Sequence, residues 1–225
     1  MTNKPLPPPP VKPTPAKTTS QAAFIPAEGS TPDNTPARVS RITAEQYYMR
    51  SLKHYDEGDL ENALLDISEA IYLDPRFGPY YSTRGMYYIT RGEVTGAAAD
   101  FAYALKMSRR DWLAHYGMGI LKYKEGYMAE ALLAFDTALK FKPRRPEIWY
   151  YRAAAAFYNN DFERASESIE KALMYFPAND KRTREAKLWK KEIDGKLPKK
   201  ERTRETDTTN PRPPRTPPKP IRGKS

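Results

Sequence analysis

The sequence predicts an all-α solenoid of four stacked helix-turn-helix units and a capping helix, set between two proline-rich segments. Three observations predict it. Gly58, Gly92, Gly126 and Asn160 stand 34 residues apart in unbroken succession. Columns of small and bulky apolar residues keep the same period on both sides of each glycine. Proline clusters outside the periodic region, with ten of the 22 prolines in residues 1–43 and seven in residues 198–225. A fixed period of this length marks one supersecondary unit repeated in a stack.

The first helix of each unit carries the small column Ser51, Gly85, Gly119 and Ala153. The second carries Ala63, Ala97, Ala131 and Ala165, then Ala70, Ala104, Ala138 and Ala172, with bulky Ile67, Phe101, Phe135 and Ile169 between them. Spacings of three and four residues place each set on one helix face. Small residues let two backbones approach, and the bulky column fills the space beside them. The glycine belongs in the turn, where a left-handed backbone costs little without a Cβ; asparagine tolerates it better than most residues. Asp59 and Asp161 follow their turns as N-caps of second helices, and Thr43 with Gln46 reads as a capping box opening the first helix. Pro75, Pro143 and Pro177 close three units; Arg109 takes the fourth place. Residues 180–196 carry Ala186, Leu188, Trp189 and Ile193 among seven Lys/Arg, an amphipathic helix suited to cap the last unit.

Residues 44–177 resemble four consecutive tetratricopeptide repeats, matching that family's small residue, turn glycine, two alanines and closing proline in order. The units run over about 44–77, 78–111, 112–145 and 146–179, with the cap bringing the folded region to 197. Two columns depart from the pattern: Tyr47, Tyr81, His115, Trp149, and His54, Tyr88, Lys122, Ala156. The resemblance implies that first helices line a concave groove that binds protein. Its carboxylate-clamp subclass, which takes acidic chaperone tails, needs basic or amide side chains where this chain has Tyr48, Leu52, Thr83, Leu113 and Gly117, so a clamp is not expected. The expected occupant is instead an apolar peptide, extended or helical. Contacts would come from Tyr48, Leu52, Met86, Tyr116, Ile120, Tyr150, Tyr151 and Tyr158, with Lys124 and Glu147 setting polarity. The tyrosines that do not recur in every unit suit a groove, since each offers an apolar face and a hydroxyl. The recurrent Tyr55, Ile89, Tyr123 and Phe157 read as packing between units.

Charge divides unevenly. Residues 1–43 carry five Lys/Arg against two Asp/Glu and residues 198–225 nine against three, whereas residues 44–197 carry 24 against 23. The basic character therefore belongs to the ends, which lack apolar periodicity and are expected to be disordered. Without a basic groove or interleaved aromatics, specific nucleic-acid binding is not expected. Lys4 to Pro10, Pro7 to Lys12 and Pro214 to Lys219 fit patterns bound by SH3-like domains, because prolines three apart share one ridge of a polyproline helix. A tail-driven recruiter is thus the alternative to a groove-driven adaptor, and a tail lying in its own groove would join the two. Phosphate-loop, metal-spacing and nucleophile motifs are absent, and the two histidines, His54 and His115, sit in repeat columns. The chain is therefore expected to be non-catalytic and to need no cofactor. It has no cysteine, and neither an export signal nor a membrane span is evident, which together suggest the cytoplasm. Partner identity and oligomeric state are not legible.

Overall fold

A computed structural model describes residues 36–177 and 179–197. Nine helices run through them: α1 (Pro36–Asp56), α2 (Leu60–Leu73), α3 (Gly78–Arg91), α4 (Val94–Met107), α5 (Trp112–Glu125), α6 (Met128–Phe141), α7 (Pro146–Tyr158), α8 (Phe162–Tyr175) and α9 (Lys181–Lys196). They pair as α1–α2, α3–α4, α5–α6 and α7–α8, and each pair packs on the next, with α9 closing against α8. The odd-numbered helices α3, α5 and α7 also touch one another, so first helices form one layer and second helices the other.

The turns follow the predicted chemistry. Gly58, Gly92 and Gly126 have φ of 86°, 91° and 87°, and Asn160 keeps the same left-handed region at 59°. A Cβ at Gly92 would meet nothing within 4 Å, so the backbone alone penalises a side chain there. Gly92→Val is expected to cost about 1–2 kcal/mol and Gly92→Asn less, as thermal unfolding would show. Asp59 and Asp161 accept hydrogen bonds from the backbone N–H of Asn62 and Arg164, capping α2 and α8. Asp111 and Asp180 do the same for α5 and α9.

One boundary differs. The helix that Thr43 is expected to open already begins at Pro36, so Thr43 lies inside α1 and is not its cap. Proline at the first helical position has a suitable φ and needs no N–H there. The expectations for residues 1–35 and 198–225 lie outside the described residues.

Three members of the off-type aromatic column, Tyr81, His115 and Trp149, share one job. Tyr81 Oη donates to the Pro75 carbonyl at 3.1 Å and Trp149 Nε1 to the Pro143 carbonyl at 2.7 Å. His115 Nε2 lies 3.0 Å from the Arg109 carbonyl, the same position in its unit. Thr183 Oγ1 donates to the Pro177 carbonyl at 3.3 Å, extending the 34-residue register from Trp149 into α9. Different side chains thus tie each connection to the next helix.

A second recurring device joins the helices of a unit. Arg84 donates through Nε and a terminal nitrogen to both carboxylate oxygens of Asp100, each at 2.8 Å, with its guanidinium near the Tyr81 and Tyr88 rings. Arg50 grips Asp66 in the same fork. Arg152 bridges Asp136 of the preceding unit and Ser168 of its own. Asp100 is buried, so Asp100→Ala is expected to cost about 2 kcal/mol, measured by chemical denaturation against Lys106→Ala as a surface control.

Candidate binding face

The first-helix layer brings together aromatic residues from all four units. Tyr48 of α1 meets Tyr80 of α3 with ring centroids 5.2 Å apart, and Tyr55 stacks on Tyr87 at 4.7 Å. Farther along, Tyr151 of α7 lies edge-on to Tyr116 and Tyr123 of α5 at 5.8 and 6.0 Å, and Tyr123 meets Tyr158 at 6.0 Å. Hydroxyls find partners within this layer: Tyr55 Oη bonds Thr90 Oγ1 at 2.9 Å, and Tyr87 Oη lies 3.3 Å from Ser51 Oγ.

Close packing of the layer changes what the expected contact residues can do. Tyr48, Leu52, Met86, Tyr116, Ile120, Tyr150 and Tyr151 are all buried, none more than 7% exposed. Their spacing predicts the open wall of a groove; in the structure their side chains pack into the chain's own core. The cause is the small residues beside them. A Cβ on Gly117 would fall 2.1 Å from the Phe101 ring, and one on Gly119 would fall 2.5 Å from the Phe135 ring. Helices that approach this closely press the rings of neighbouring units together. Glu147 is half-buried and pairs with Arg182 of α9 at 3.2 Å, so its charge is compensated within the chain. Tyr158 is half-buried and Lys124 is exposed.

What stays accessible is a narrower strip at the C-terminal ends of the first helices. Asp56, Thr90, Lys124 and Tyr158 recur at 34-residue spacing, and each is exposed or half-exposed. They stand one position beyond Tyr55, Ile89, Tyr123 and Phe157, an apolar floor whose last two members are half-buried. Met49 is also exposed on α1. Sequence spacing contained this row, but the depth of each side chain depended on how closely the helices approach.

Burial also controls the ionisation of the layer. Loss of water contact pushes the Tyr80 and Tyr150 hydroxyls up to about 12, with nearby carboxylates adding to it. Burial drives Tyr87, Tyr116, Tyr123 and Tyr151 upward as well, reinforced by neighbouring phenols. The fold therefore favours neutral tyrosine. A raised folded-state value gives stability that is complete below the unfolded value of about 10 and is lost as pH climbs through the folded values. Exposed tyrosines such as Tyr72 can ionise with the helices intact, but the buried share of the phenolate absorbance is expected to appear only together with loss of helical circular dichroism, above about pH 10. Ionisation of all the tyrosines while the helical signal stays intact would contradict this burial.

Among the described residues, no helix is long and apolar enough to cross a membrane, and no group of three or more His, Cys, Asp or Glu is placed to hold a metal ion.

The family model described as Tetratricopeptide repeat matches residues 146–179. Serine/threonine-protein phosphatase 5 of Rattus norvegicus is 27% identical over 136 residues, 59% of this chain and 27% of that protein. Tetratricopeptide repeat protein 16 of Mus musculus is 26% identical over 130 residues, 55% of this chain and 17% of that protein. The matches thus span roughly a quarter or less of these relatives. Among solved structures, that described as Pseudomonas aeruginosa pilF superposes with a TM-score of 0.61 at 18% identity, covering 70% of each chain. A thermophilic TPR protein of Thermus thermophilus gives 0.57 at 16% identity, covering 67% of this chain and 80% of that one. At such identities the structures speak to fold alone.

Proposed function

Because the chain is a tetratricopeptide-repeat protein, a fold typical of protein-protein interaction modules, we propose that it acts as a non-catalytic adaptor holding a short peptide along its first-helix face. The observation that carries this reading is the accessible row Asp56, Thr90, Lys124 and Tyr158, one residue per unit, beside a partly open apolar floor. An extended or helical peptide would lay apolar side chains on Tyr123 and Phe157 and direct an acidic group to Lys124. A basic group at its other end would meet Asp56. Tyr48, Met86, Tyr116, Ile120, Tyr150 and Tyr151 would shape the floor from beneath. The similarity of the matched relatives is confined to part of their length, so it suggests a module rather than a whole activity.

Peptides selected from a display library on the full chain would test this. Tyr158→Ala and Lys124→Glu are each expected to weaken the selected peptides about tenfold, or about 1.4 kcal/mol, with unchanged circular dichroism. Peptides indifferent to both changes would overturn the reading.

A second reading rests on the proline patterns at Lys4 to Pro10, Pro7 to Lys12 and Pro214 to Lys219, which suit SH3-like partners. Deleting residues 1–35 and 198–225 separates the two. Groove binding survives that deletion, and tail-driven recruitment does not.

A further inference from the structure

Charge is segregated along the stack. Residues 36–77, which hold α1 and α2, carry eight Asp/Glu against five Lys/Arg, a net −3. Residues 181–196 carry seven Lys/Arg against three Asp/Glu, a net +4, and residues 198–225 add +6 from nine against three. The first unit is therefore acidic and the far end basic.

Each pole also has a helix face of matching character that no other described residue covers. On α2, Ala63, Ile67 and Ala70 point into the core. The opposite stripe holds Glu61, Leu65, Glu69 and Tyr72, with Leu65 64% and Tyr72 81% exposed. On α9, Ala186, Trp189 and Ile193 point inward. Its opposite stripe holds Arg184, Lys187, Leu188 and Lys191, with Leu188 64% exposed. The inward cations of α9 are already satisfied: Lys190 pairs with Glu170 at 3.0 Å and Asp194 at 2.8 Å, and Arg182 with Glu147 and Asp180. In contrast, Arg184, Lys187, Lys191 and Glu69 make no ion pair with another described residue, and Glu61 reaches only Arg91, at 3.6 Å.

We propose that the α9 face of one molecule docks on the α2 face of a second copy, cations against carboxylates, with Leu188 and Leu65 at the centre. The stripes cannot meet within one molecule, because α9 packs on α8 at one end of the stack and α2 on α1 and α3 at the other. The contact joins unlike surfaces, so each added copy leaves one of each face free and the assembly grows as an open chain. Single helix faces bury little area, which places the contact in the weak class. Its charges are exposed and are screened beyond about 10 Å at 0.1 M salt. Binding is therefore salt-labile.

Sedimentation of the full chain over a hundredfold concentration range tests it. In about 50 mM NaCl the average mass is expected to rise with concentration, and in about 500 mM to return to the monomer. Glu61→Lys with Glu69→Lys, and Lys187→Glu with Lys191→Glu, should each be monomeric alone, whereas an equimolar mixture of the two should associate again. All four positions are exposed, and circular dichroism verifies folding. A wild type that stays monomeric in low salt, association unmoved by either reversal, or a mixture that stays monomeric would overturn the proposal. So would a salt-dependent compaction independent of concentration, which would assign the basic tail to its own acidic unit.

Discussion

Replacing Phe101 with alanine is expected to destabilise the fold by about 3–5 kcal/mol, a large part of the about 5–15 kcal/mol that a domain usually has. Phe101 is fully buried. Its ring meets the helix backbone at Gly85 in its own unit and at Gly117 in the next, where added Cβ atoms would lie 2.6 and 2.1 Å away. One side chain therefore sets the distance both within a unit and between units. Two backbones cannot collapse readily onto the space it leaves. Gly117→Ala should also destabilise, by about 1–3 kcal/mol, because the added methyl meets the flat of a locked ring. Phe101→Leu combined with Gly117→Ala should cost less than the sum of the two, since each relieves the other. Urea denaturation of the four proteins measures this. Additivity would mean that the ring and the glycine do not share one space.

Trp189→Ala is expected to have the next largest effect, about 3–5 kcal/mol. Trp189 stacks on Tyr150 with centroids 5.6 Å apart and also meets Phe157 at 6.1 Å. Without it, two aromatic residues of the last unit face water, and a stack survives only when its terminal unit is covered. The expected signs are a lower unfolding midpoint, new dye binding to exposed apolar surface and aggregation on warming. Leu188→Ala, one residue away on the exposed side of α9, should leave the monomer's stability within about 0.5 kcal/mol. If Leu188→Ala destabilised the chain as much as Trp189→Ala, α9 would be turned the wrong way.

The parts of this molecule legible in the sequence are those decided within one unit. A left-handed turn needs glycine or asparagine, so Gly58 and Asn160 declared it, and Asp59 and Asp161 sit where helix N-termini need acceptors. The Arg-Asp forks were legible in principle. Arg50, Arg84 and Arg152 fall on one column and Asp66 and Asp100 on another, but the pairs lie 16 residues apart, beyond the reach of single-helix spacing rules. The start of α1 at Pro36 was obscured by a proline that reads equally well as a tail residue. The first-helix tyrosines expose a deeper limit. Spacing put Tyr48, Tyr116 and Tyr151 on the first-helix layer, but whether a ring lines an opening or fills it depends on the separation of neighbouring helices. Gly117 and Gly119 made that separation small, and the rings closed on one another. The accessible row therefore lies at Thr90, Lys124 and Tyr158, at the ends of the helices.

Site-specific photo-crosslinking tests the adaptor reading most directly. A benzophenone side chain at Thr90 or Lys124 should capture a selected peptide, and the same group at Leu133, exposed on the second-helix side, should not. Capture at Leu133 with none at Thr90 or Lys124 would place binding on the other layer and contradict the account.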